Sequence, residues 1–231
     1  MALFNNPTMA SRSLRVLARL LGYPDAGLRG DLAALREALH GERALPQQRL
    51  AELDALIDSL ALAAPLDTEA AYVELFDRGR ATSLHLFEHV HGDSRDRGPA
   101  MIDLAQTYEK AGLFLAEGEM PDFLPVVLEF TSTQPPCEAR EFLAEMAHIF
   151  NAIFSALQQR GSAYACVLGA LLELAGEKAQ PVQVAAEEPI DAVWEEPVVF
   201  DGCSSKGQAR PDQAQPIHIV RKVRPTQGVQ A

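Results

Sequence analysis

The stretch Ser162–Gly176, "SAYACVLGALLELAG", decides the fold. It is apolar on nearly every side, and a helix of that kind belongs in the centre of a bundle rather than on its surface. Working outward, "EAREFLAEMAHIFNAIFSALQQRG" (Glu138–Gly161) repeats apolar residues at three and four and reads as one long helix. "PDFLPVVLEF" (Pro121–Phe130) reads as a short helix capped by Asp122, with Pro125 in the first turn, where proline is tolerated. Met101, Leu104 and Tyr108 stripe a helix ending near Gly112. Toward the start, Leu14, Leu17, Leu20 and Leu21 lead to the break at Gly22-Tyr23-Pro24. Leu28, Leu32, Leu35 and Leu39 lead to Gly41, and Leu50, Leu53, Leu56, Ile57 and Leu60 lie between Pro46 and Pro65. Tyr72, Leu75 and Phe76 share a face, and a further helix opens at Thr82 or Ser83. No alternating β-branched run interrupts this pattern before the C-terminal region. The expectation is an all-α fold: a single bundle of about eight helices over residues 1–176.

After Gly176 the composition changes. Pro181, Pro189, Pro197, Pro211, Pro216 and Pro225 break up a Gln-, Glu- and Ala-rich segment, so residues 177–231 are expected to form a disordered tail. Trp194 could anchor that tail, and Ile217–Pro225 is its one short β-like run. The chain of 231 residues carries a net charge of −12. The tail's eight acids and six bases contribute only −2, which leaves −10 on the helical body. Such a field repels phosphate backbones and anionic membranes, so nucleic acid is excluded as a partner and a basic polypeptide is favoured. Cys137, Cys166 and Cys203 are too scattered for a disulfide framework or a thiolate metal site. With no secretory signal pattern and no apolar run of about 18 residues, the expected address is cytoplasmic, without direct membrane insertion.

The segment "HLFEHVHGDSRDRG" (His85–Gly98) contains H-x-x-E-H, the inverted zinc-protease signature. On a helix His85 and His89 would stand one turn apart and could share a cation, with Glu88 beside them as a base. A zinc-dependent hydrolase is therefore one alternative, but nothing marks a third ligand. The helical wheel supports another reading, in which Leu84, Leu86, Phe87 and Val90 face inward and His85, Glu88 and His89 outward. The following "GDSRDRG" alternates acid and base, as suits a turn crossing a groove. No G-x-S-x-G, no phosphate-cradling glycine loop and no cysteine with a histidine partner is found.

The blocks "YVELFDRGRATSLHLFEHVHGDSRDRGPAMIDL" and "GLFLAEGEMPDFLPVVLEF" resemble the delta-subunit family of respiratory nitrate reductase, as do "LRVLARLLGYPD" and "AVWEEPVVF". The likeness covers most of Ser11–Phe200. It implies an all-helical assembly chaperone, within the wider group serving exported redox enzymes, rather than an enzyme or a subunit of the finished reductase. Its partner would be the N-terminal segment of the apo catalytic (alpha) subunit, kept competent for molybdenum cofactor insertion before membrane docking. Molybdenum cofactor biosynthesis proteins are a further partner class, and no cofactor is implied for the chaperone itself. A same-fold chaperone for a different molybdoenzyme is the remaining alternative. The family's motif residues map onto Tyr72, Phe76 and Asp77, then Glu88, His89, His91, Gly92, Asp93, Arg95, Asp96 and Arg97, then Pro121, Asp122, Leu124, Pro125, Glu129 and Phe130. Thirteen of these are the expected peptide-binding set: Tyr72, Phe76, Asp77, Glu88, His89, His91, Asp93, Arg95, Asp96, Arg97, Asp122, Leu124 and Glu129. Tyr72, Phe76, Leu124 and Phe130 also have the character of core residues. Phe123 stands where the wider chaperone group often carries histidine. Histidines 89 and 91 could tune peptide affinity near neutral pH, because a protonated ring repels a cationic ligand.

Overall fold

A computed structural model describes residues 10–92 and 94–180. Among the described residues are ten α-helices and no strand beyond one isolated bridge. The first three are α1 (Ser11–Leu20), α2 (Ala26–Glu42) and α3 (Gln47–Leu62). α4 (Pro65–Tyr72) runs on into a π turn, Val73–Asp77, and a 3-10 turn follows at Arg80–Thr82. Then come α5 (Leu86–Val90), α6 (Arg97–Lys110), α7 (Leu124–Thr133), α8 (Pro136–Glu145), α9 (Ala147–Gln159) and α10 (Ala165–Ala175). None of them is long and apolar enough to cross a membrane. By its contacts the chain divides into Met1–Glu187 and Glu188–Ala231. The expected tail lies outside the described residues apart from 177–180, and so do Trp194, Cys203 and the β-like run at 217–225.

The all-α expectation holds, with three local corrections. The single helix foreseen over Glu138–Gly161 is two, broken at Met146, where the His148 ring Nδ1 lies 3.1 Å from the Glu145 carbonyl. A side chain that takes a carbonyl from the helical ladder breaks its regularity, and the apolar period alone carries no trace of this. The helix expected from Thr82 or Ser83 begins only at Leu86, because His85 is still extended at φ −87°, ψ 104°. Asp122 does not cap α7, whose N-cap is Phe123 without a side-chain bond.

α10 is the centre, as its composition demands: Ala165 to Leu172 are buried without a break. Arg49 of α3 lies across it, pairing with Glu173 at 3.0 Å and also with Glu52. Gly169 makes room for that guanidinium, which a methyl group there would strike. α1 packs its stripe of Leu14, Leu17, Leu20 and Leu21 against α2 and α7. Full burial of each such leucine is worth about 1.5–3 kcal/mol.

Short helices leave many backbone groups without partners, and distant side chains supply them. Glu42, at the end of α2, accepts from Arg12 N–H at 3.0 Å and Ser13 N–H at 2.6 Å, capping α1, whose own N-cap Ala10 has no side-chain acceptor. Arg29 donates to the carbonyls of Leu60, Ala61 and Ala63 at the end of α3. Ser11 Oγ donates to the Ser132 carbonyl near the end of α7, and Arg140 Nε to the Ala175 carbonyl ending α10. Asp25 caps α2 locally through Leu28 N–H at 2.7 Å, and that bond holds its carboxyl below the usual value. Replacing Glu42 with Ala is expected to lower stability by about 1 kcal/mol, with Gln recovering part of the loss by keeping one acceptor oxygen. Urea unfolding checks this, and an unchanged midpoint for Glu42→Ala would remove the capping role.

Candidate functional site

Two sequence blocks that resemble the family meet across a single antiparallel bridge, His85 with Phe123. Leu86 N–H donates to the Asp122 carbonyl at 3.0 Å, and Leu124 N–H donates to the Leu84 carbonyl at 2.8 Å. The two rings of the bridge lie 5.3 Å apart. Extended backbone on both sides of this bridge is what delays the start of α5 until Leu86.

At the bridge sits Asp122, 0% exposed. A buried carboxylate is costly unless charge and hydrogen bonds surround it. Its Oδ2 accepts from Phe87 N–H at 3.2 Å, which caps α5 across 35 residues of sequence. Its Oδ1 lies 3.3 Å from His85 Nδ1. Arg97, at the start of α6, brings its guanidinium to 3.7 Å from Asp122 and 3.4 Å from Glu88. Asp122 thus holds α5, α6 and the start of α7 together. The hydrogen bond that His85 donates to the Asp122 carboxylate raises the His85 pKa above the ordinary value against the opposing effect of burial.

The zinc arrangement does not form. His85 precedes the helix and turns to Asp122, whereas His89 directs Nε2 to the Ser83 carbonyl at 2.8 Å. Among the described residues no three His, Cys, Asp or Glu side chains are grouped to hold a metal.

Beside this cluster runs a groove with two adjoining lobes of about 410 and 390 Å³. Glu119, Val126 and Glu129 border both. The first lobe adds Tyr108, Leu113, Phe114, Leu115 and Phe130, and the second adds Arg19, His85, Met120 and Phe123. Apolar side chains make up much of the walls, Arg15 lines the first lobe and Arg19 the second, and two exposed carboxylates, Glu119 and Glu129, stand where the lobes join. A larger hollow of about 790 Å³ lies at the C-terminal end of α7 and adjoins the first lobe, with which it shares Arg15, Ser132 and Thr133.

Of the twelve described residues among the thirteen expected to meet a peptide, Glu129 is the one that lines this groove. Tyr72, Phe76 and Leu124 are buried. Tyr72 packs on Phe76 and Tyr164 and donates its hydroxyl to the Leu21 carbonyl at 2.7 Å. Asp122 is interior and acts through its neighbours. Glu88, His89, His91 and Arg97 are half-buried around α5, with His91 edge-on to Phe87, while Asp77, Arg95 and Asp96 are exposed. Asp93 lies outside the described residues. Sequence reasoning missed the groove's Arg19, Phe114, Glu119 and Met120. The apolar "LFL" between two glycines was the available signal for Phe114.

The architecture is shared with a crystal structure described as that of a "putative redox enzyme maturation protein" from Archaeoglobus fulgidus. The TM-score is 0.52 at 19% identity, over 77% of this chain and all of that one. At the level of sequence the chain belongs to the nitrate reductase delta subunit family, whose profile matches residues 24–168. It is 44% identical over 193 residues to the nitrate reductase molybdenum cofactor assembly chaperone NarJ of Escherichia coli K12, covering 79% of this chain and 82% of that protein. It is 41% identical over 193 residues to NarW of the same strain, a "probable nitrate reductase molybdenum cofactor assembly chaperone", covering 79% and 80%.

Because the Asp122 bond favours the charged imidazole, the stability it adds is complete below the ordinary histidine value, about 6.5. It fades as pH rises through the raised value in the folded protein. NMR titration is expected to place the His85 midpoint above the usual value, and Asp122→Asn is expected to bring it down. A midpoint indifferent to that substitution would separate the two groups electrostatically.

Proposed function

We propose that this chain is a maturation chaperone for nitrate reductase, without turnover of its own, and that it binds the N-terminal segment of the apo alpha subunit in the groove along α7. Holding that segment keeps the subunit competent for molybdenum cofactor insertion and delays membrane docking, in the cytoplasm where assembly takes place. The relatives' names support the chaperone role. The two-lobed groove supports the finer reading: apolar walls surround Glu119 and Glu129, and Arg15 and Arg19 line it as well. A helical ligand of roughly four turns, about fifteen residues, presents one apolar face to such a groove and leaves basic residues to meet the two acids. The chain's net charge of −12 adds long-range attraction for a basic leader.

Isothermal calorimetry with a peptide copying roughly the first fifteen residues of the alpha subunit is expected to give saturable binding that weakens as salt rises. Glu129→Lys, at an exposed position, is expected to weaken binding about tenfold with the fold intact. Absence of any heat above dilution would count against the reading, and an unaltered affinity for Glu129→Lys would place the peptide elsewhere.

A further inference from the structure

The outer wall of the first lobe is the loop 112–118, "GLFLAEG", which joins α6 to the Asp122 bridge. It begins and ends on glycines in the left-handed region, Gly112 at φ 80° and Gly118 at φ 87°. Between them Phe114 is 79% exposed, and Met120 just beyond is 42% exposed. A large aromatic held in water beside an apolar hollow has much to gain from a partner that covers it.

The loop is tied on either side of Phe114 and Leu115, at Leu113 and at Ala116. Leu113 N–H closes the end of α6 on the Tyr108 carbonyl at 2.9 Å, while Ala116 donates its N–H to the Glu119 carboxylate at 2.9 Å and accepts from Glu119 N–H at 3.1 Å. Tyr108 is buried, donates its hydroxyl to the Pro121 carbonyl at 2.8 Å and packs its ring 4.6 Å from Phe130. It is the one buried side chain of α6. The middle of the loop can therefore change position without disturbing the core, with the two glycines absorbing the change in φ. The loop and its exit carry Glu117 and Glu119 and no base, so the surface it presents is aromatic and acidic.

We propose that residues 112–118 form a flap and that Phe114 is its anchor: when a basic amphipathic segment lies in the groove, the flap folds over it and Phe114 packs on its apolar face. This rests on the reading of the groove given under Proposed function. Phe114 then contributes to discrimination among leader peptides, because only a segment with an apolar position beneath the closed flap meets the ring. Acids on the flap select for basic residues on either side of that position.

The test uses the full chain and the alpha-subunit leader peptide, with calorimetric affinities for wild type, Phe114→Ala and Phe114→Leu and with hydrogen exchange of wild type. Expected are an affinity loss of roughly tenfold for Phe114→Ala, most of it restored in Phe114→Leu, and slowed amide exchange at 112–118 on peptide addition. Thermal unfolding of the free variants should match wild type, since the side chain is exposed in the free protein. Wild-type binding with equal affinity for Phe114→Ala, or with no slowing of exchange in the loop, overturns the flap and leaves the groove reading standing. Absence of wild-type binding overturns both.

Discussion

One buried carboxylate organises the part of this protein that carries its family's sequence blocks. Asp122 has no solvent to stabilise it, so its neighbours must, and three elements supply them: the backbone start of α5, the His85 ring and the Arg97 guanidinium opening α6. Each of those elements is too short or too lightly packed to hold its place by burial alone. α5 has five residues, and α6 buries one side chain. The cost of burying one charge is thereby converted into the positioning of a whole surface.

The same logic runs through the bundle at lower cost. Glu42 closes α1, Arg29 closes α3 and Arg140 closes α10, each reaching from a different part of the chain. Helices of this length would fray if left to water, and side chains brought in by the fold hold their ends. The groove along α7 follows from this arrangement. α7 is fixed from behind by α1 and from its start by the bridge to His85, so its exposed row, with Glu129 upon it, stays available to a partner.

How far the sequence speaks depends on whether the relevant physics is local. The apolar stripes of α1, α2 and α3, the apolar girth of α10 and the tolerated Pro125 are all readable, because helical period and proline chemistry act over a few residues. The break at Met146 is not readable, since the stripe passes through it without a change of phase. Asp122 looks like a cap for the helix that follows it, and nothing within three residues reveals that it serves a helix 35 positions earlier. For the same reason H-x-x-E-H misleads: its spacing has meaning only if His85 is helical, and the bridge to Phe123 makes it extended. The net negative charge of the chain is legible in composition, whereas the residues that form the groove are brought together by contacts across a hundred positions.

Those long reaches have a consequence for synthesis. α1 leaves the ribosome early, yet part of its apolar stripe is covered by α7, and Ser11 and Arg15 find their partner in Ser132, 121 and 117 positions later. At ordinary translation speeds that interval is on the order of ten seconds. Throughout it the part of α1 that α7 will cover waits exposed, so a chain of this assembly-chaperone family passes through a vulnerable stage of its own.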